Sequence, residues 1–177
     1  MRFISLISLL FSIVIGSLAY AETAEIDDWL EMSDACETIV FAQDASVFDD
    51  LEPADPLVNV RGLHEVSVFN PNSSLVASAV SSQGTWFLCG IAANPPLQTR
   101  LAGSLIQAWS ETQRQITQSV ESKLIDIDDG VTFNPVRIRC GEGGRLIVVR
   151  AFKHENGEFR LGVVNSLPSS IENPCVN

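Results

Sequence analysis

The sequence is nearly devoid of tyrosine, with a single residue, Tyr20, in 177. It has two histidines, His64 and His154, and no Cys-x-x-Cys pair. Bases are scarce beside acids: 11 Lys+Arg against 22 Asp+Glu, a net charge of −11. Each shortage excludes something. A chain this poor in tyrosine lacks the side chain most used at adaptable binding surfaces. So few bases cannot replace the counterions around phosphates, which argues against nucleic acid as a partner. Without Cys-x-x-Cys a dithiol redox centre is not expected. There is no G-x-S-x-G elbow and no H-E-x-x-H pair. Gly and Pro are few (11 and 8) and hydrophobic residues reach 46%, which excludes a disordered or fibrous chain. No motif in the sequence names a chemistry.

What is present begins with an address. Arg2 is the only charge before Glu22, and Phe3 to Leu18 is almost wholly apolar. Ala19-Tyr20-Ala21 places small residues at the −3 and −1 positions. Residues 1–21 therefore read as a secretory signal peptide cleaved after Ala21. The apolar run is shorter than the roughly 20 residues that span a bilayer, so no stable membrane insertion is expected after cleavage. No cysteine follows the cleavage site and no twin arginine precedes it, which points to a protein exported unfolded and without a lipid anchor. The short basic region suggests a bacterial source and the periplasm. Residues 22–177 are then expected to form a single exported domain, long enough for a real core.

Four cysteines, Cys36, Cys89, Cys140 and Cys175, lie in that mature part. An even number in an exported chain reads as two disulfides. Of three connectivities, Cys36–Cys89 with Cys140–Cys175 is favoured. The first would pin an N-terminal helix to a core strand, and the second would staple the C-terminal tail to the sheet. The cysteines are too widely spaced, and the histidines too ill placed, for a zinc site. No metal and no cofactor is expected.

Hydrophobic periodicity predicts a helix over 25–43, with Ile26, Trp29, Leu30, Cys36, Ile39, Val40 and Gln43 near one face. An acidic, Pro-broken connection follows, with a short extended piece at Leu57–Val60. Residues 64–92 read as a three-stranded meander. Its third strand, Thr85–Ala92, is apolar on both faces, with Trp86 and Leu88 on one and Phe87, Cys89 and Ile91 on the other. Asn94-Pro95 opens a long helix running to Val120. Lys123 to Gly130 leads out of it. Val136–Cys140, Arg145–Lys153 and Phe159–Asn165 form a second meander. Asn156-Gly157 predicts a two-residue hairpin loop pairing Phe152 with Leu161 and Lys153 with Arg160. The expected fold is α+β: an antiparallel sheet of about six strands with two helices packed on one face. The doubled order hints at two related halves.

Charge is segregated along the chain. Residues 22–65 hold 13 acids and one base, whereas residues 136–177 hold four acids and six bases. Arg137 and Arg139 share a strand face, and Lys153 would face Arg160 across the hairpin. Like charges so placed repel unless an anion lies between them. Arg137, Arg139, Lys153 and Arg160 are therefore the candidate site for an anionic ligand or a protein partner in the cell envelope. The plainer reading is a solvated face paired with the acidic N-terminal third. Asp126–Gly130 fails the calcium-loop pattern at Gly130, Val131 and Arg137, and reads as an acidic turn. Trp29, Trp86 and Trp109 lie on apolar faces and belong to the core.

Three functional expectations follow. The first is a non-catalytic periplasmic or secreted binding or accessory module. The second is an exported hydrolase using His64 or His154 with an acid and a serine. The third is an envelope assembly protein whose acidic third meets the basic sheet of another copy, an association that salt would weaken.

Overall fold

The computed structural model describes residues 26–55, 57, 61–70, 75–93, 104–117, 121–154, 158–167 and 169–176. The expected signal peptide lies outside them. Helix α1 spans residues 26–42 and α2 spans Ser104–Ile116. The expected start of the second helix, at Asn94-Pro95, and its end at Val120 lie outside the described residues. The strands are β1 (Glu52–Pro53), β2 (His64–Asn70), β3 (Leu75–Ser82), β4 (Thr85–Ala93), β5 (Ser122–Ile125), β6 (Thr132–Cys140), β7 (Leu146–Lys153) and β8 (Phe159–Val164). They form one eight-stranded antiparallel sheet in the order β1-β2-β3-β4-β8-β7-β6-β5.

Eight strands replace the expected six. The two additions are the outermost strands. β1 is only Glu52–Pro53, and proline is tolerated at a sheet edge because nothing needs its missing N–H. β5 is four residues, Ser122–Ile125, recruited by pairing with Arg139 to Val136 of β6. Neither is long enough to show a period of two. Of the expected extended piece at Leu57–Val60 only Leu57 is described, its N–H donating to Ser78 Oγ at 3.0 Å; residues 58–60 lie outside the described residues.

Both helices cover the same face of the sheet. Trp29, Cys36, Ile39 and Val40 of α1 and Trp109 of α2 join one core with Val68, Leu75, Ala77, Ala79, Cys89 and Ile91 and with Ile147, Val149, Leu161 and Val163. The α1 pattern needs little else to explain it, since residues three and four apart share a helix face. A smaller core lies on the opposite face. Val136, Ile138, Leu146, Val148 and Ile127 pack there under Leu167, Ile171 and Cys175 of the tail. The disulfides are Cys36–Cys89 and Cys140–Cys175. No helix among the described residues is long and apolar enough to cross a membrane.

Two local registers differ from the simple alternation. A bulge lies where Val80 faces Leu88 but Ser81 faces Trp86, leaving Phe87 as the extra residue. Trp86 therefore packs against the main core beside Cys89, not on the face of Leu88. In the last hairpin Phe152 pairs with Arg160 and Lys153 with Phe159. The His154 N–H donates to Glu158 O, so three residues, 155–157, remain for the loop where two were expected. Those three lie outside the described residues.

The doubled order has a geometric basis. Gly90 of β4 lies directly opposite Gly162 of β8 at the centre of the sheet. The offset of 72 residues between them also carries β1 onto β5, β2 onto β6 and β3 onto β7, within a few residues at their ends. At that offset Val76, Ala79, Phe87 and Gly90 meet identical residues, Val148, Ala151, Phe159 and Gly162.

Candidate functional site

The four candidate bases do not form one surface. Arg137 and Arg139 point to the helix-covered face. There Arg137 is 6% exposed and ion-paired with Glu37 of α1, which is itself buried. Arg139 Nη1 lies 3.9 Å from Glu37 and its Nη2 4.0 Å from Glu121. Asp34, one turn before Glu37, lies 4.0 Å from Arg137. The acidic helix thus meets the basic strand within one chain. Burial pushes the Glu37 carboxyl above the ordinary carboxylate range, and the Arg137 charge pulls it back without cancelling that effect.

The Phe41 ring extends this cluster at the end of α1. The Arg139 guanidinium lies 4.7 Å from its centroid and that of Arg145 5.4 Å. A Cβ added at Gly141 would sit 2.6 Å from the same ring, so only glycine admits Phe41 there. Arg145 also donates to Val40 O at 3.4 Å, near the negative end of the helix dipole. These contacts fasten α1 to the sheet.

Lys153 and Arg160 are separated by the hairpin register. Arg160 is adjacent to Phe152 on the helix-free face, while Lys153 is exposed beside Phe159, a core residue of the helix-covered face. A slip of one residue is enough to move a side chain from one face to the other. Arg160 is paired with Glu158 at 2.8 Å. The repulsion that singled out Lys153 and Arg160 therefore does not arise.

The helix-free face holds a different arrangement. Cross-strand pairing sets five residues abreast: Ser67, Ser78, Gly90, Gly162 and Arg150. The next row carries Phe69, Val76, Ala92, Arg160 and Phe152. The two glycines leave the centre without side chains. The Phe152 ring approaches to 3.3 Å of a Cβ built on Gly162, whereas no described residue lies within 4 Å of one on Gly90. Both flanks are covered. Leu57 sits over Ser78, and the tail after β8 lies over β6 and β7.

Polar side chains stand on both sides of the two glycines, Ser78 itself being fully buried. Ser67 and Ser78 hydroxyls lie 2.5 Å apart, and Ser67 donates to Glu65 at 3.3 Å. Opposite them stand Arg150 and Arg160, both partly exposed. Arg150 stacks 5.1 Å from the Phe152 centroid and meets Asp129 at 3.4 Å. Burial alone would raise the Asp129 carboxyl. Hydrogen bonds from Thr132 and Val131, with the Arg150 charge, hold it below the usual range. The sequence carried one sign of this site. Gly90 and Gly162 each interrupt a strand pattern, which marks a bulge or a close approach. Nothing in a single strand showed that the two would abut.

The histidines stand apart. His64 lies 5.7 Å from the Trp86 ring, and His154 Nδ1 is buried without a hydrogen bond. No group of three or more metal-ligating side chains occurs among the described residues. In comparisons with known proteins, no family model, no curated protein and no solved structure matches the chain.

Proposed function

We propose that the chain is a periplasmic or secreted, non-catalytic binding or accessory module. It recognises an anionic group on a ligand or envelope partner through the helix-free face of its sheet. The observation that carries this reading is the row Ser67, Ser78, Gly90, Gly162 and Arg150. Its centre has no side chains, hydroxyls flank it on one side and guanidiniums on the other. Arg160 of the original basic set belongs here, whereas Arg137 serves to hold α1. Two disulfides fit an oxidising compartment. N-terminal sequencing of exported protein should begin at Glu22.

The binding test uses Gly90→Leu. A Cβ there meets no described residue within 4 Å and the backbone φ is not positive, so the backbone admits a side chain, and thermal unfolding of Gly90→Leu checks that the fold is kept. The added side chain occupies the helix-free face between the serines and Arg150. Tagged parent protein should retain an envelope partner from a periplasmic extract, identified by mass spectrometry. Gly90→Leu and Arg160→Glu should lose that partner, and Lys153→Glu, on the other face, should keep it. Equal retention by all four proteins would remove this site.

A further inference from the structure

We infer that the C-terminal segment is a thiol-gated strap, held over an apolar strip of the sheet by the Cys140–Cys175 disulfide and released when an exported protein dithiol reduces it. The strap begins at Asn165 and has neither helix nor strand through Val176, Pro168 lying outside the described residues. Leu167, Ile171 and Cys175 pack on Val136, Ile138, Leu146, Val148 and Ile127. A space of about 430 Å3 remains beside Leu167 and Ile171, bordered by Gly144, Arg145, Leu146 and Asn173. The apolar residues beneath the strap are ones that a detached tail would expose.

Polar contacts share the load. Lys123 Nζ donates to Pro174 O at 2.7 Å, and the Asn165 N–H to Phe87 O at 3.4 Å. The hydrogen bonds from the amides of Cys175 and Val176 both go to Asn173, within the strap itself. The covalent bond is the one clamp here that a reductant would open.

The two disulfides differ in access. Cys36 and Cys89 are fully buried between α1 and β4, both at 0% exposure. Cys140 and Cys175 are each half-buried at the edge of the fold. Exchange requires a thiolate to reach a sulfur, so access separates the two bonds kinetically. One thiolate of the protein dithiol attacks Cys175 Sγ and forms a mixed disulfide. The Cys140 thiolate leaves and takes a proton. The second thiol of the reductant then displaces Cys175. Two electrons and two protons pass to this chain, which ends with two thiols, while the reductant ends as a disulfide.

The test treats the folded, mature protein with dithiothreitol as the dithiol, without denaturant. Alkylation and peptide mass analysis should find Cys140 and Cys175 modified at least about tenfold faster than Cys36 and Cys89. Far-UV circular dichroism should be unchanged at that stage. Hydrogen exchange of residues 166–176 should then rise by about tenfold or more, with new binding of an apolar dye. A Cys140→Ser/Cys175→Ser variant should show the same exchange and dye binding with no reductant. Two results overturn the proposal. In one, both disulfides reduce together, so that opening requires global unfolding. In the other, the tail stays protected after Cys140 and Cys175 are reduced, held by Lys123 and Ile171 alone.

Discussion

Arg137 shows what a candidate binding residue becomes when a helix lands on it. Its charge is paired with Glu37 in the interior, where removing one partner strands the other. Arg137→Leu should therefore destabilise the fold by about 3–5 kcal/mol in urea unfolding. The double change Glu37→Met/Arg137→Leu should recover most of that loss, because no buried charge is left unpaired, Asp34 and Arg139 both reaching solvent. Glu37 also makes a pH prediction. Its folded pKa lies above the unfolded value, so the folded state holds the proton more tightly. The associated stability is full below about 4.3 and is lost as pH rises through the raised folded value. Unfolding of parent and Glu37→Gln across that window should show a steeper decline in the parent. Asp129 titrates in the opposite sense. Its pKa is depressed, so its stability is present above about 3.9 and lost as pH falls through the lower folded value. Asp129→Asn should lack that acid-side loss.

At the scale of the element, the end of α1 depends on one side chain. Gln43 follows the helix with φ of 62°, in the left-handed region. Its Nε2 donates to Val40 O and to Trp86 O, and its Oε1 accepts from the Trp86 N–H. It thus stops the helix and ties the stop to the bulged part of β4. Gln43→Ala keeps the left-handed strain, about 1–2 kcal/mol, and loses the bonds. Gln43→Gly loses the same bonds and relieves the strain. Thermal unfolding should rank the parent first, Gln43→Gly second and Gln43→Ala last. The helical period over 25–43 was legible, and it placed Gln43 on the buried face. What it could not show was the partner: Trp86 is 43 residues away, and the contact exists only because Phe87 bulges.

For the whole molecule, the doubled order does not imply two independent halves. The central ladder joins β4 to β8, and the main core draws on strands from both sides of it. Trp29 of α1 meets Phe159 of β8 edge to face at 5.3 Å, and Glu37 reaches Arg137 of β6. Each half alone would expose the strand that now lies at the sheet centre, along with half of a shared core. Residues 22–93 and 94–177, made as separate chains, should each lack a cooperative unfolding transition. Circular dichroism on heating checks this. Recovery of a cooperative transition on mixing would show the shared core directly.

The amino-acid sequence by itself determined the α1 helix, the two main meanders and the class of fold, because helix and strand periods are local properties. It also pointed to the observed disulfide pairing, Cys36–Cys89 and Cys140–Cys175, from where a helix and a tail would need fastening. The tertiary structure alone decided which face each base occupies. The hairpin register moved Arg160 away from Lys153, and α1 enclosed Arg137. It alone recruited the short edge strands β1 and β5, and it alone set Gly90 against Gly162. The physical reason is common to all of these. Register and facing are properties of a pair of segments, and each partner lies tens of residues away along the chain.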